Sequence, residues 1–415
     1  MNVCVVGAGW AGLACAVEAT RAGHVVTLLE AARTLGGRAR RVEERGLALD
    51  NGQHILIGAY RDTLALMREV GVDCGTALAR LPLTLRFADG GGLAVPSLPP
   101  PLNLIAGIVA ARGWTWADKF SLIRLALRWR RDRFRCAPAV TVAQLCASLT
   151  PRVMCELIEP LCISALNTPT GRASGQVFLR VLNDALFAER GGADLLLPRV
   201  DLGALLPDAA ARWLAAQGAV LRTGTRVHRI AQGSAGWSVD GETFDRVVLA
   251  CTPWDAARLL RDSALPETAT WCDITEALAY EGIATIYASG PPVPLAAPIL
   301  ALRSGVNAPA QFVFDRGQLG GPAGLLAFVV SASHAPRAQL QREVLRQAAD
   351  QLGLRTLEPL QTIVEKRATF SCTPGLQRPP MTIAPGLLAC GDYVTGPYPS
   401  TLEGAVRSAL AAARA

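Results

Sequence analysis

The stretch VCVVGAGWAGLACAVEATRAGHVVTLLE, residues 3–30, decides the fold of this chain. A short apolar run at residues 3–6 precedes three glycines in the spacing G-x-G-x-x-G. Alanines and larger apolar residues follow, and a second apolar run ends at Glu30. The pattern predicts a β-strand, a tight loop, a helix and a second β-strand, which is the first unit of a dinucleotide-binding fold.

Each residue of this motif has a physical role in such a fold. Gly7 permits the tight turn, Gly9 lets the backbone approach a pyrophosphate, and Gly12 lets the helix lie close to the strand. The helix N-terminus presents amide N–H groups to the phosphates. The carboxylate of Glu30 follows about 20 residues later, where it accepts hydrogen bonds from ribose hydroxyls. The motif in this context predicts a bound dinucleotide.

The composition argues against several classes of protein. The 415 residues are 51% hydrophobic and 18% charged, which is enough apolar material for a large core. The net charge is +7, but a single basic cluster at residues 128–135 does not support nucleic-acid binding. The 11 cysteines include no Cys-x-x-Cys pair, which favours reduced thiols in the cytoplasm over disulfides or a metal site. We expect no signal peptide and no transmembrane helix.

A second glycine pair follows Glu30, in the sequence LGGR at residues 35–38. This loop resembles the pyrophosphate-contacting loop of the flavin amine oxidase and phytoene desaturase superfamily. The resemblance implies a bound FAD, with Gly37 in that loop and Arg38 as a cation beside the diphosphate or the flavin edge. No second G-x-G-x-x-G is present, so we expect no separate NAD(P)H domain. The Gly-Gly-Cys-Tyr context of a covalent flavin is absent around Cys372, so we expect non-covalent FAD.

The C-terminal segment resembles the same superfamily. A short apolar run is followed by Gly391 and Asp392, and the sequence then begins a final helix near Thr401 and Leu402. The resemblance implies that Asp392 binds the ribityl chain and that the helix N-terminus faces the flavin pyrimidine. A positive helix end there stabilises negative charge on reduced flavin. The pattern S-x-x-E that ends at Glu403 predicts a capping box for this helix.

A third matching segment, residues 218–254, resembles a β-rich unit of the superfamily. The resemblance implies that Val227 lies on the strand that lines the adenine. Together the segments imply an α/β fold, with a discontinuous Rossmann-like FAD-binding domain and a mixed α+β substrate domain. The expected boundaries are 1–80, 195–255 and 375–415 for the FAD-binding domain, and 81–194 and 256–374 for the substrate domain.

The stretch LDNGQHILIGAY, residues 49–60, places polar residues directly before an apolar run. Superfamily proteins carry an Asp-x-Gly loop here that lies against the isoalloxazine ring. The resemblance implies that Gly52 lets the backbone approach the ring and that Gln53 and His54 follow at flavin level. The form D-N-G-Q-H-x-x-x-G is similar to the squalene-associated flavoprotein branch of hopanoid synthesis. That branch implies reductive removal of the hydroxyl of hydroxysqualene to give squalene, with FADH2 as the hydride donor.

This chemistry indicates candidate catalytic residues. Loss of an allylic hydroxyl leaves a resonance-stabilised cation, so the protein has to hold the carbon, exclude water and protonate the leaving group. His54 is the first candidate acid because its unperturbed pKa of about 6.5 suits proton transfer near neutrality. Asp50 is a weaker candidate, and Gln53 is expected to orient the ring or the loop. A purely structural role for His54 remains open.

Residues 119–135 combine apolar residues at helical spacing with many arginines, and they follow an apolar segment that ends in Trp114 and Trp116. A basic amphipathic helix beside interfacial tryptophans is typical of a peripheral membrane contact. We therefore expect residues 102–135 to touch lipid on the inner face of the membrane, where a C30 isoprenoid substrate would be found. Contact with other squalene-pathway enzymes is a further expectation. An ordinary surface helix is the alternative.

Three other functions remain open at this point. A carotenoid-type desaturase would use the same cofactor with the opposite direction of hydride flow. An amine oxidase is disfavoured because no aromatic pair that could enclose an amine is evident. A non-catalytic carrier of prenyl chains on a flavoprotein fold is disfavoured because the presumptive flavin-binding residues Glu30, Arg38 and Asp392 are all present.

Overall fold

The computed structural model describes residues 1–44, 46–96, 98–99, 101–188, 190–234 and 236–415. In these residues the strands are β1 (Asn2–Val6), β2 (Val25–Leu29), β3 (Arg41–Glu44), β4 (Leu47–Asp50), β5 (Leu56–Ile57), β6 (Leu78–Leu81), β7 (Thr84–Arg86), β8 (Gly92–Ala94), β9 (Leu195–Pro198), β10 (Val220–Arg222), β11 (Ile230–Gly233), β12 (Gly236–Val239), β13 (Glu242–Phe244), β14 (Arg246–Leu249), β15 (Tyr280–Ser289), β16 (Ile299–Ala301), β17 (Phe312–Asp315), β18 (Leu325–Ser331), β19 (Glu358–Phe370), β20 (Thr382–Ala384) and β21 (Leu387–Ala389).

The α-helices of the described residues are α1 (Trp10–Arg21), α2 (Arg61–Glu69), α3 (Cys74–Ala77), α4 (Leu102–Ala110), α5 (Trp116–Arg131), α6 (Val142–Leu145), α7 (Pro151–Val153), α8 (Glu159–Leu166), α9 (Gly175–Leu186), α10 (Leu202–Leu205), α11 (Pro207–Ala216), α12 (Pro253–Asp262), α13 (Ala269–Glu276), α14 (Arg337–Leu352) and α15 (Leu402–Arg414). A π-helical turn, Met154–Ile158, joins α7 to α8. No helix of the described residues is long and apolar enough to span a membrane.

The first sheet has six strands in the order β10-β2-β1-β14-β21-β20, and only the edge strand β20 is antiparallel to its neighbour. Alternate residues of β1 face opposite sides, so Val3 and Val5 pack with α1 and α15 while Cys4 and Val6 pack toward β11–β13. Because the strands are parallel, their carboxyl ends lie at one edge of the sheet. That edge brings together the residues that follow β1, β2, β14 and β21. The predicted Rossmann-like α/β fold is confirmed.

The second sheet has five antiparallel strands in the order β16-β17-β18-β15-β19. One of its faces packs on α14. The other face points into the interior of the molecule, where its apolar side chains join a core shared with the helices of residues 102–186. Strands of the first sheet come from residues 2–29, 220–249 and 382–389, and strands of the second come from residues 280–370. The expected domain boundaries stay a prediction.

The helix predicted in residues 119–135 is present as α5, but it begins at Trp116 and ends at Arg131. Trp114 lies outside it and is buried, and its indole N–H donates to Glu156 at 2.8 Å. Phe134 is also buried, beyond the end of the helix. The prediction of Trp114 as an interfacial residue is therefore wrong, because a partner for its indole lies inside the core. Trp116 is exposed.

Candidate functional site

The turn from β1 into α1 has no room for side chains at two of its glycines, Gly7 in the loop and Gly12 in the first turn of the helix. A Cβ on Gly12 would lie 1.8 Å from the carbonyl oxygen of Gly7, so the helix packs on the loop only if this residue is glycine. Gly7 has φ +106°, a conformation that L side chains rarely adopt. The motif thus forms the tight, close-packed turn that its spacing predicts.

The loop between β1 and α1 lies beside the second glycine loop, residues 35–38. The Gly36 N–H donates to the Ala8 carbonyl at 2.9 Å, and Gly37 Cα is the sole atom of the described residues within 4 Å of a Cβ on Gly9, at 3.8 Å. Helix α1 starts after Gly9 with no side-chain cap and no acidic residue in its first turn. Its first amide N–H groups are thus available to an anion. The two loops form a cradle that fits a diphosphate.

Glu30 lies beside this cradle at the carboxyl end of β2. Its carboxylate accepts hydrogen bonds from the Ala8 N–H at 2.6 Å and from the Ala32 N–H at 2.7 Å. The amides hold the carboxylate in one orientation at the edge of the sheet. A carboxylate at this position of a dinucleotide-binding fold accepts a hydrogen bond from a ribose hydroxyl.

Val227 is not on a strand, so its predicted strand placement is wrong, while its contact with the adenine stays a prediction. β10 ends at Arg222, and the chain then leaves the sheet. The Gly224 N–H donates to the Ala32 carbonyl and the Thr225 N–H donates to the Glu30 carbonyl. These two hydrogen bonds hold the segment after β10 beside the residues that follow β2. Val227 follows as a buried residue of this connecting segment. The segment still passes the carboxyl end of β2.

Arg38 and Asp392 form an ion pair that joins the second glycine loop to the residues after β21. One Arg38 guanidinium nitrogen lies 2.5 Å from the Asp392 carboxylate, and the other donates to the Ala368 carbonyl at 2.7 Å. The Ser400 hydroxyl donates to the second carboxylate oxygen of Asp392. Burial raises the pKa of Asp392, but the Arg38 charge and these hydrogen bonds outweigh it, so the pKa is lowered overall. Both groups are therefore charged at neutral pH.

The N-terminus of α15 is capped by Thr401, whose hydroxyl accepts from the Gly404 N–H at 3.0 Å, and Leu402 is the first residue of the helix. The predicted capping box is wrong. The Glu403 carboxylate is turned to the N-terminus of α2, where it accepts from the Thr63 N–H and hydroxyl at 3.0 and 2.7 Å. Glu403 thus caps a neighbouring helix, because the fold places the first turns of α2 and α15 together. Gly391 precedes Asp392, and its N–H donates to Ser408 at 3.2 Å.

The polar segment, residues 50–54, runs along the inner face of the second sheet. The Asp50 carboxylate accepts from the Leu202 N–H at 2.8 Å, and burial raises its pKa to about 6. The Tyr287 hydroxyl donates to the Asp50 carbonyl at 2.8 Å and accepts from the Gln53 amide at 2.8 Å. The hydrogen bonds of Asp50 and Gln53 to Tyr287 hold the polar segment on β15. This geometry disfavours Asp50 as a proton donor.

His54 lies over Gly52, and its Nε2 is 3.5 Å from the position that a Cβ on Gly52 would occupy. Burial, and then the charge of Arg38, lower the pKa of His54 to about 4. The expectation of an ordinary imidazole pKa is therefore wrong, and the ring is neutral at pH 7. A neutral ring donates a hydrogen bond from one nitrogen, but it carries no additional proton to transfer.

Sequence reasoning missed two residues that face this segment, Thr285 and Tyr287. Both are on β15 and point to the same side, because they are two positions apart. No local pattern distinguishes them from other strand residues. Around them this face of the sheet is mostly apolar, with Ile283, Ile299, Phe312, Phe314, Ala327, Val329 and Ile363, while β19 adds the polar Gln361 and Glu365. The site thus combines a cradle for a dinucleotide with a neighbouring, largely apolar face of the second sheet, and no metal-binding group of three or more His, Cys, Asp or Glu is found in the described residues.

Comparison with known proteins identifies the family. Residues 10–415 match the flavin containing amine oxidoreductases. The chain belongs to this family. It is accordingly a flavin-dependent oxidoreductase, which removes the alternative of a non-catalytic carrier. The computed fold resembles an oxidoreductase from Methanosarcina mazei with a TM-score of 0.74 and 18% identity, over 100% of both chains.

Two sequence relatives differ in how much of the chain they match. A hydroxysqualene dehydroxylase from Rhodopseudomonas palustris is 28% identical over 99% of this chain and 97% of its own length. A zeta-carotene desaturase from Synechocystis is 43% identical, but over 22% of this chain and 19% of its own length. The similarity to the dehydroxylase therefore extends over nearly the whole chain, whereas the similarity to this desaturase covers about a fifth of it.

Proposed function

We propose that this protein binds FAD non-covalently and removes the hydroxyl of hydroxysqualene reductively, giving squalene. The observation that carries the proposal is the similarity to hydroxysqualene dehydroxylase over 99% of the chain. A substrate domain shared along its whole length supports a shared substrate class. The partial match to the desaturase supports a common nucleotide-binding region but not a common substrate.

FAD would be held by the cradle and its surroundings. The uncapped N-terminus of α1 and the adjoining glycine loops at Gly9 and Gly37 would hold the diphosphate, and the fixed carboxylate of Glu30 would hold the adenosine ribose. The ion pair of Arg38 and Asp392 and the N-terminus of α15 lie at the same edge of the sheet. We propose no covalent bond between the flavin and Cys372, which is buried in the core.

The substrate would lie on the apolar inner face of the second sheet, next to the polar segment. The reaction breaks the allylic carbon–oxygen bond, forms a carbon–hydrogen bond and takes up one proton, so that the hydroxyl leaves as water. Reduced FAD, when bound, supplies the hydride. The buried wall excludes water from the carbocation-like centre, and the N–H of neutral His54 donates a hydrogen bond to the leaving hydroxyl. The proton itself then comes from solvent.

Two measurements test the proposal. Acid precipitation of the purified yellow protein should release its flavin, and chromatography should identify it as FAD; flavin retained in the pellet would contradict non-covalent binding. Photoreduced protein should then be mixed anaerobically with hydroxysqualene or with phytoene. Flavin reoxidation and squalene formation are expected with hydroxysqualene alone. If hydroxysqualene gives neither flavin reoxidation nor squalene, the proposed reaction is contradicted.

The membrane contact is a further part of the proposal, and it rests on an apolar patch on α4, α5 and the residue stretch before them. Of the twelve large hydrophobic side chains exposed in the described residues, seven lie here and are 43–64% exposed. They are Leu98, Leu102, Ile105, Val109, Trp116, Phe120 and Leu127. The Lys119 ammonium donates to the Val109 carbonyl at 2.6 Å, which ties the two helices into one surface. A clustered, unpartnered apolar surface of this kind marks an interaction site.

Positive charge adjoins this patch. Arg124, Arg128 and Arg131 line an open groove of about 930 Å³ together with Phe120, Ile123 and Leu127. Apolar side chains flanked by arginines match the two parts of an anionic lipid surface, hydrocarbon and phosphate. We therefore propose that the patch lies on the inner leaflet of the cytoplasmic membrane, where a C30 isoprenoid is dissolved. Association with other squalene-pathway enzymes stays a prediction.

A further inference from the structure

Thr285 carries a hydroxyl group that the fold leaves without a partner. The side chain is 1% exposed, and its Oγ1 makes no hydrogen bond to any described residue. A buried hydroxyl without a partner destabilises the fold, so such groups call for a physical explanation. The nearest side chains on this face are Ile283, Val329 and Ile363, together with Tyr287, whose hydroxyl is already bonded to Asp50 and Gln53.

The hydroxyl also points to a particular place. Its Oγ1 is 3.9 Å from the position of a Cβ on Gly52, and His54 Nε2 is 3.5 Å from the same position. Two hydrogen-bonding groups from different parts of the chain thus converge on the space over Gly52. A Cβ on Gly52 would make ordinary van der Waals contacts with both groups, so glycine leaves room for one small group between them.

We propose that Thr285 and His54 together bind the hydroxyl group of the substrate, and that Thr285 sets the preference for an alcohol over a hydrocarbon. The inference rests on the proposed function and adds a residue that recognises the leaving group. The apolar part of this face binds the C30 chain of either molecule, whereas only the alcohol offers a hydroxyl to the unpaired Thr285. A site built to hydrogen-bond a substrate hydroxyl discriminates strongly against an analogue that lacks it.

The test compares the affinities of the holoenzyme for hydroxysqualene and for squalene, presented in the same detergent micelles. Replacing Thr285 by valine keeps the shape and removes the hydroxyl, so affinity for hydroxysqualene should fall roughly tenfold. Affinity for squalene should not change. Thr285→Ser should restore the preference, because it keeps the hydroxyl.

Thr362 provides a matched control. It is on β19, is 5% exposed and also has an unpaired hydroxyl, but it pairs with Ile286 and faces α14 on the opposite side of the sheet. Thr362→Val removes the same group and should leave the preference at the wild-type value. Equal losses in both threonine variants would overturn the inference, because they would report a general effect on the sheet.

Two other outcomes also overturn it. If Thr285→Val binds both molecules less tightly by the same factor, Thr285 shapes the wall and does not recognise the hydroxyl. If Thr285→Val instead changes flavin content or the flavin absorbance spectrum, the hydroxyl serves the cofactor. Failure of the proposed reaction would give a different result from failure of this inference. In that case the wild type would bind hydroxysqualene in preference to squalene but would not convert it.

Discussion

Alanine substitution of Trp116 and Phe120 should weaken binding to lipid vesicles by roughly 30- to 700-fold. An aromatic side chain buries about 150–250 Å², and these two are 64% and 61% exposed. Roughly 100–150 Å² of each is therefore available, which corresponds to about 2.5–4 kcal/mol per side chain at ~25 cal/mol per Å². Insertion to about half that extent leaves about 2–4 kcal/mol for the pair, and about 1.4 kcal/mol is a factor of ten.

The arginines contribute separately and respond to salt. Each basic residue near an anionic surface is worth about 1 kcal/mol, so changing Arg128, Arg130 and Arg131 to glutamate should cost about 3 kcal/mol from lost attraction alone. All three are exposed on the last turn of α5. This loss should shrink at high salt, because the Debye length falls to about 3 Å at 1 M. The loss from the aromatic substitutions should not shrink.

The assay is co-sedimentation with vesicles that contain or lack phosphatidylglycerol, with flavin absorbance as the check on folding. Two controls change equivalent residues elsewhere. The apolar control replaces Val293 and Val306 by alanine, and the charge control changes Arg337, Arg342 and Arg346 of α14 to glutamate. Unchanged sedimentation of the Trp116/Phe120 variant, or an equal loss in the charge control, would refute the assignment of the patch to lipid.

Four further results are expected. Gly9→Val places a side chain in the cradle, so the purified protein should be folded by circular dichroism yet nearly colourless. Glu403→Ala leaves the N-terminus of α2 without its cap and should lower the free energy of unfolding by about 3 kcal/mol in urea titrations, with a smaller loss for Glu403→Gln. The Asp50 pKa rises from 3.8 to about 6 on folding, so wild-type stability should fall as pH rises from about 4 to 6; Asp50→Asn should remove that fall, about 3 kcal/mol at roughly 1.36 kcal/mol per unit. His54→Ala removes a hydrogen-bond donor from the leaving hydroxyl, so it should keep its FAD but slow single-turnover flavin reoxidation by hydroxysqualene by about 10²-fold, and a wild-type rate would make the imidazole structural.

The nucleotide-binding half was predictable because its signals are local. A glycine is required in the first loop by contacts such as that of Gly12 with Gly7, five residues apart, and the helix that follows has its own periodicity. The same holds for the strand that ends at Leu29, just before Glu30, and for the final helix that begins at Leu402. Short-range sterics and backbone hydrogen bonding act within a few residues, so the sequence carries them directly.

Long-range pairing was not predictable in this way. Arg38 meets Asp392 across 354 positions, because the parallel strand order brings the loops after β2 and β21 to one edge. Glu403 meets Thr63 across 340 positions, because α15 packs beside α2. The sequence suggested a local capping box for Glu403, and it could not show that a second helix begins beside it. Trp114 was misplaced for a related reason, since its partner Glu156 is 42 residues away.

The sequence by itself determined the fold class, the glycine cradle and the polar segment before β5. The tertiary structure alone decided what that segment can do. His54 has an ordinary imidazole in the sequence, but burial and Arg38 lower its pKa to about 4. Thr285 is one strand residue among many until the register of β15 places its hydroxyl over Gly52. The charge state of a side chain and its hydrogen-bond partners depend on which groups surround it in space, and the fold sets those surroundings.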